Sequence, residues 1–413
     1  MVSAPPPGTQ GDAQALARAS ALPAVPARCD IAIIGGGVIG SAVAFFLGQL
    51  APGASVCVIE PDPAYSLAST PRASGGCRVQ FSCPENIDMS LYSLQFIRDF
   101  AAHASVPGHP AELGWVEGGY LFVVGPDHVA GLQANVEAQR ARGCEVHLLD
   151  PTELRRRFPS MRVDDLGAGA HTPRDGWCDP EAMLRGLRRK AIAQGAVYLA
   201  DRVVGAECTA TAVSALRLAS GARLAAHSVV NAAGAWSGEV AAFMGMRLPV
   251  SPLKRYEHYF TCGAPMERLP YVKDLARLAF RSEGAGFSGG LVDGSARRGV
   301  DFEVDHGYFE RVVWPAVAHR FPPLEAARCH RTWAGLYEQC ELDGNPVIGR
   351  WNRGLRNLFT VAGFSGHGMM HAPAAGRGVA ELITRGRYES IDLTRLGVER
   401  VEDNAPYREA GIL

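Results

Sequence analysis

The chain has no uncharged apolar run long enough to cross a bilayer as a helix, so no membrane span is expected. It has no excess of either charge. Its 42 acids against 41 bases set up no field that would draw in nucleic acid or an anionic membrane face. Ten cysteines are present, but no two form a C-x-x-C pair and none falls in a metal-ligand spacing, so no metal site is expected. Free thiols suit a reducing compartment, and a cytoplasmic location is expected. Residues 1–28 lack the apolar core of a signal peptide. They are rich in alanine and proline (Pro5, Pro6, Pro7, Pro23, Pro26) and are expected to form a disordered tail, with a weak organellar presequence as the alternative.

What remains has the composition of a globular protein, 47% apolar and 20% charged, with length enough for two or three domains. The strongest local signal is Gly35-Gly36-Gly37-Val38-Ile39-Gly40. It directly follows the apolar run Asp30-Ile31-Ala32-Ile33-Ile34. A second apolar run, Ser55–Ile59, ends at Glu60. Strand, glycine turn, helix, strand and acid together form the fingerprint of a site for the ADP half of a dinucleotide. Gly35 would make the tight turn, Gly37 would let backbone approach a pyrophosphate, and Gly40 would let the helix pack on the strand. The helix beginning near Gly37, with Val38 and Ile39 in its first turn, would aim free N–H groups at the phosphates. Glu60 would accept hydrogen bonds from ribose hydroxyls. With 47 glycines in the chain, a glycine string alone means little. A second match, Gly284-Ala285-Gly286-Phe287-Ser288-Gly289, runs on into Leu291-Val292-Asp293-Gly294, which does not favour a helix, and reads as a hairpin turn.

Further along, small residues from Ser66 to Gly76 suit a loop lying against a cofactor, Ser74, Gly75 and Gly76 among them. Apolar residues at helical spacing predict a helix from about Glu85 to His103. Asp179-Pro180 predicts a capped helix that ends at Gly195. Val197–Leu199 and Arg202–Gly205 read as strands. So does Ser228–Gly234, which leads into a helix over 235–244. Residues 246–330 are richer in strands. Leu358–Ala362 is a strand, and Gly363-Phe364-Ser365-Gly366-His367-Gly368 turns into a helix running to about Thr384. Nucleotide-domain segments at the start, middle and end are thus separated by two insertions.

Three separated motifs, in order, carry a family resemblance: the first glycine turn, Val229-Val230-Asn231-Ala232-Ala233-Gly234-Ala235-Trp236-Ser237, and Ala362-Gly363-Phe364-Ser365-Gly366-His367-Gly368. They resemble the D-amino-acid oxidase, sarcosine oxidase and glycine oxidase superfamily of FAD enzymes. Ser74–Ser82, Val304-Asp305-His306 and Trp333–Tyr337 look closest to the branch holding the mitochondrial FAD-dependent oxidoreductase-domain protein linked to complex I assembly. The resemblance implies an α/β fold. A Rossmann-like FAD-binding domain would be built from discontinuous segments (29–110, 165–245 and 331–395). An α+β substrate domain with an antiparallel sheet would come from 111–164 and 246–330, and 396–413 would be a C-terminal tail.

The resemblance also implies site residues. Val204, Ala233, Gly234 and Trp236 would meet the cofactor. Gly363, Gly366, His367, Gly368 and Met369 would open a helix beside the flavin, although His367 also reads as a turn histidine with a backbone partner. Relatives tether FAD through a cysteine where Gly335 stands here, or through a histidine where Arg72 stands, so non-covalent FAD is expected. Substrates would be small amines or amino acids, with oxygen or another acceptor taking the electrons. Arg78 and Arg281 are the candidate carboxylate clamps, each with a plain structural reading as the alternative. Tyr337 would line the pocket or fill the core. Met370 stands where sarcosine oxidases carry a carboxylate-gripping lysine, which allows a bulkier or less acidic amine.

Overall fold

The computed structural model describes residues 24–274, 277–291 and 298–410. Most of the expected N-terminal tail, residues 1–23, lies outside that range, as do Val292-Asp293-Gly294.

The apolar run before the first glycine turn forms the strand Arg28–Ile34, and both faces of it are covered. Unbroken apolar runs of this kind suit a parallel strand buried on two sides. It pairs in parallel with Val56–Glu60 on one side, Ile33 opposite Val58. On the other side it pairs in parallel with Arg223–Asn231, Ile33 opposite Val230. The sheet continues in parallel to Val197–Ala200 beyond the first neighbour and to Leu358–Ala362 beyond the second. Val347–Arg350 closes one edge in the antiparallel sense. A meander of Val203–Cys208 and Val213–Leu218 branches from Arg223–Asn231.

One face of this sheet packs Ile31, Ile33 and Val58 against the helices Val38–Leu50, Pro180–Ala193 and Gly368–Arg385. The first and last of these helices approach closely, and a Cβ on Gly376 would come 2.7 Å from that of Ala42. The opposite face packs Ala32, Ile34 and Ile59 on the meander and on the helix Ser237–Phe243. As predicted, the Asp179 carboxylate caps Pro180–Ala193, accepting from Glu181 N at 2.8 Å and Ala182 N at 3.1 Å.

The second sheet runs Arg328–Cys340, Val250–Thr261, Gly286–Leu291, Leu278–Glu283, Tyr271–Lys273, Tyr120–Val124, Ala168–Thr172, His147–Leu149. All its pairings are antiparallel except the parallel contact of Tyr271–Lys273 with Tyr120–Val124. The second glycine string is the turn of the hairpin formed by Leu278–Glu283 and Gly286–Leu291, as read from the sequence. Two expected boundaries move. Ala168–Thr172 and Arg328–Cys340 pair within the second sheet, so that sheet takes in the starts of segments expected at 165 and 331.

The C-terminal segment is docked as far as Ala410, not loose. Arg400 is buried and pairs with Asp343 at 2.9 Å. Glu409 lies at the start of the helix Pro84–Arg98, whose own preceding residue, Cys83, offers no side-chain cap. The Glu409 carboxylate accepts from Ser82 N at 2.6 Å, Cys83 N at 3.1 Å and Asn86 Nδ2 at 2.5 Å. A residue over three hundred positions away in sequence thus supplies the anion that a helix N-terminus favours. Among the described residues no helix is long and apolar enough to cross a membrane. We expect Glu409→Ala to lower stability by about 1 kcal/mol, the usual cost of a lost cap. Urea unfolding measures it, and an unchanged midpoint would remove the capping role.

Candidate functional site

The parallel strands Arg28–Ile34, Arg223–Asn231 and Leu358–Ala362 are neighbours, so their C-terminal ends emerge at one edge of the sheet. Each hands its chain to a turn at that edge. Gly35 has φ of +98°, and a Cβ there would collide with the carbonyl oxygen of Ala232. Only glycine meets both demands. A Cβ on Gly40 would collide with the Gly35 carbonyl, so Gly40 lets the helix sit down on the turn. Gly37 differs from both. It precedes the helix Val38–Leu50 with no side-chain cap, and the nearest atom to a Cβ there is Thr70 Oγ1 at 3.8 Å.

Gly35, Gly37, Val38 and Ile39 line a cavity of about 1030 Å³. That is at the top of the usual range for small-molecule sites, about 300–1,000 Å³. Ala233, Gly234 and Trp236 line the same cavity from the second turn, and Gly366, His367, Gly368, Met369 and Met370 from the third. Ser74, Gly75 and Gly76 form part of the wall. Glu60 lies at one end. Its Oε2 accepts from Gly36 N at 2.8 Å and its Oε1 from Asp62 N at 2.9 Å, and burial raises its pKa.

Four expected site residues stand off the cavity wall. Gly40 has the packing role just given. Gly363, with φ of +81°, donates its N–H to Glu338 Oε2 at 3.0 Å and shapes the third turn from behind. Val204 is 47% exposed, because alternation along Val203–Cys208 turns Val203 inward instead, and Val203 lines the cavity. Arg281 is not positioned as a substrate clamp. It is buried, its Nε donates to Ser74 O at 2.7 Å, and its Nη1 pairs with Glu283. Its guanidinium holds the loop that carries Ser74–Gly76.

The far end of the cavity is built from the second sheet and from the segment that follows the short strand Gly76–Cys77. Arg78 is 1% exposed and lies over the Phe81 ring, 3.8 Å from its centroid. Its Nη1 donates to Gln80 O, and its Nη2 is buried without a partner. Tyr120 and Tyr271 stack at 4.3 Å, and Tyr271 Oη meets Ser74 Oγ at 2.9 Å. Tyr337 packs under the third turn, where a Cβ on Gly366 would meet its ring at 2.6 Å. His367 Nδ1 is buried and unpartnered, and desolvation with the Arg78 charge holds the ring neutral. That disfavours the reading of His367 as a turn histidine whose side chain is satisfied by backbone.

Sequence reasoning missed three charged residues here. Lys273 lines the cavity beside Arg78, and burial lowers its pKa to about 7. Glu257, accepting from Ser288 Oγ at 2.7 Å, and Glu338 are both raised by burial to about 7. No motif marks these positions. The only signal is a charged residue within a strand pattern, which an exposed strand face would also produce.

A dinucleotide cofactor fits this architecture on three counts. A helix N-terminus with no cap from Gly37, where Val38 N donates to Thr70 Oγ1 at 3.3 Å, opens onto the cavity at a glycine with room in front of it. A carboxylate stands at the end of the second strand. Buried polar atoms, Arg78 Nη2 and His367 Nδ1, lack partners at the far end.

A Cβ at position 37 meets nothing nearer than Thr70 Oγ1 at 3.8 Å, so Gly37→Val adds bulk where the sequence motif puts a pyrophosphate. We expect cofactor content to fall at least tenfold in that variant while apoprotein unfolding is unchanged. Parallel loss of both would mean that Gly37 serves folding. Asp175 braces the Arg78 segment, accepting from Val79 N at 3.0 Å and Thr172 Oγ1 at 2.5 Å. Burial raises its pKa to about 7. From about pH 4 to 7 the unfolded chain has lost this proton and the folded chain keeps it, so raising the pH costs the folded state. We therefore expect Asp175→Asn to be more destabilising at pH 5 than at pH 8 in chemical unfolding. An equal cost at both would refute the buried, protonated carboxyl.

Known proteins resemble this chain in sequence and fold. Residues 30–382 match the family model described as DAO, FAD dependent oxidoreductase. The chain is 34% identical to FAD-dependent oxidoreductase domain-containing protein 1 of Xenopus laevis over 94% of this chain and 85% of that protein. It is 27% identical to glycine oxidase of Geobacillus kaustophilus, covering 90% of this chain and 97% of the relative. Among solved structures, L-proline dehydrogenase from P. horikoshii superposes with a TM-score of 0.82 at 28% identity, covering 93% of this chain and all of that one. The chain is therefore a member of the DAO family of FAD-dependent oxidoreductases.

Proposed function

We propose that the protein oxidises a C–N bond in an amine or N-substituted amino acid, with FAD held non-covalently along the three turns. Bound FAD supplies the hydride acceptor, flavin N5, and water then hydrolyses the resulting imine. The observation that carries this reading is the convergence of three turns on one cavity that ends at Arg78, whose Nη2 is buried without a partner.

In this reading Gly37 and the helix behind it take the pyrophosphate, and Glu60 takes ribose hydroxyls. Ala233, Gly234 and Trp236 take the middle of the cofactor. Gly366, Gly368 and Met369 offer N–H groups to the pyrimidine edge of the ring. Arg78 binds the substrate carboxylate, with Tyr337 and Met370 beside it. The aromatic wall of Tyr120 and Tyr271 limits water at the reacting carbon. Relatives named for glycine and L-proline support an amino-acid substrate. Among the described residues no cysteine lines the cavity wall, and Gly335 and Arg72 stand in it, which supports a cofactor without a tether. The Arg72 guanidinium is already held by the carbonyls of Ser66 and Ala334. Oxygen or another acceptor would take up the electrons. Ten unpaired thiols fit a reducing compartment such as the cytoplasm.

The test is anaerobic titration of the yellow protein with secondary and cyclic amino acids. We expect at least one to bleach the flavin band. We also expect Arg78→Met to raise the concentration needed at least tenfold, the loss that a charge-assisted contact implies. A flavin that stays oxidised with every amine and amino acid would favour a flavin-bearing assembly protein instead.

A further inference from the structure

Two acids of the second sheet line the cavity, and the fold uses them differently. Glu338 is committed to backbone, its Oε2 accepting from Gly363 N at 3.0 Å. Glu257, half-buried on the strand Val250–Thr261, has an oxygen to spare. Its Oε1 accepts from Ser288 Oγ at 2.7 Å, and its Oε2 has no hydrogen-bond partner among the described residues. Of the two strands between it and Tyr271–Lys273, the cavity meets only Ala279, Gly290 and Leu291, all uncharged. The carboxyl shares the far end of the cavity with Arg78, since both charges act on the Tyr337 hydroxyl. Desolvation is the largest influence on it and raises its pKa to about 7. The Ser288 hydroxyl and the Arg281 charge oppose that rise, and Glu283 adds to it. Tyr271 and Tyr337, the ionisable neighbours from two other strands, are kept protonated by burial. Arg255 of the same strand lies over the Tyr337 ring, and Arg331 lies over Trp333, the residue opposite Glu257.

Resting on the oxidoreductase reading above, we propose that Glu257 accepts the extra proton of the substrate's ammonium group, with Ser288 holding the carboxylate in place. An alkyl amine is protonated near neutral pH. A protonated nitrogen has no electron pair with which to form a C=N bond, so this proton has to leave before the C–N bond is oxidised. In the step, one N–H bond of the ammonium breaks, its electron pair stays on nitrogen, and the proton joins Glu257 Oε2. A cation and an anion become a neutral amine and a neutral carboxyl, with no net charge gained or lost. Two neutral groups cost less to keep in a cavity closed to water than two charges do. A base that titrates near neutrality is also suited to both halves of the task, since it is ionised before the substrate arrives and holds the proton afterwards.

The experiment is calorimetric titration of the FAD-loaded protein with 2-aminoisobutyrate and 1-aminocyclopentanecarboxylate, in buffers of different ionisation enthalpy. Neither compound has a hydrogen on the carbon that bears the amine, so no hydride can leave. The buffer dependence counts the protons released on binding. At pH 6 Glu257 already holds a proton, and at pH 8 it is a carboxylate ready to take one. We expect the parent protein to release about one proton per ligand at pH 6 and about none at pH 8. Glu257→Gln should release about one at both pH values, and Glu257→Asp should keep the parent's difference, with FAD content unchanged in both variants. Equal counts at the two pH values in the parent would overturn the proposal before any variant is made. So would a pH difference that survives in Glu257→Gln. A count near none at both pH values in Glu257→Gln would also overturn it, because the bound ammonium would then keep its proton. Binding of neither compound would overturn it too. Failure of the broader reading has its own signature. Proton counts as expected, in a protein whose flavin no amino acid reduces, keep the proton acceptor and remove the oxidation.

Discussion

Parallel pairing of three strands far apart in the chain is the constraint on which the site depends. Arg28–Ile34, Arg223–Asn231 and Leu358–Ala362 lie side by side and run in the same direction. Their ends therefore deliver three turns to one edge of the sheet, the place where open α/β sheets bind ligands. The approach is tight. Gly35 N donates to Ile59 O at 2.9 Å and Ala232 N to Ile34 O at 2.9 Å, so the first and second turns are fixed to the strand ends by backbone bonds. Glycine is required where those turns meet, and this is why the first turn cannot carry a side chain at Gly35.

The two sheets divide the chemistry. The parallel sheet supplies neutral backbone and one carboxylate, Glu60, suited to a cofactor of phosphates and hydroxyls. The second sheet supplies buried aromatics and ionisable groups whose pKa values are shifted toward neutrality by desolvation: Lys273, Glu257 and Glu338. Groups shifted in that way cluster where charge is to be bound or moved. Arg281 contributes from behind. It spends its donors on the Ser74 carbonyl and Glu283, which positions the small-residue loop without reaching the cavity.

Much of the fold is legible in the sequence because its signals are local. Asp179-Pro180 has to start a helix, and the glycine string at 35–40 has to come after a strand. The hairpin at 284–289 is separable from a nucleotide turn because Leu291 to Gly294, just beyond it, do not favour a helix. The parts that are not legible depend on partners distant in the chain. Glu409 caps a helix that begins at Pro84, so the last residues read as a tail until the fold brings them there. Val203 and Val204 exchange roles because one step along a strand reverses the facing side. Arg281 and Arg78 look alike in sequence, and only the positions of Ser74 and Glu283 tell a structural guanidinium from an open one. Lys273 carries no motif at all. It stands out only in the fold, half-buried and 5.6 Å from the centroid of the Phe122 ring that Arg78 also faces.

The most direct test of the central claim is a crystal structure of the protein with FAD bound. One extended cofactor is expected, with its ribose at Glu60, its pyrophosphate over Gly37 and Ala233–Gly234, and its ring beside Gly366–Met370. A cofactor that touches only one of the three turns, or that lies outside the cavity, would contradict it.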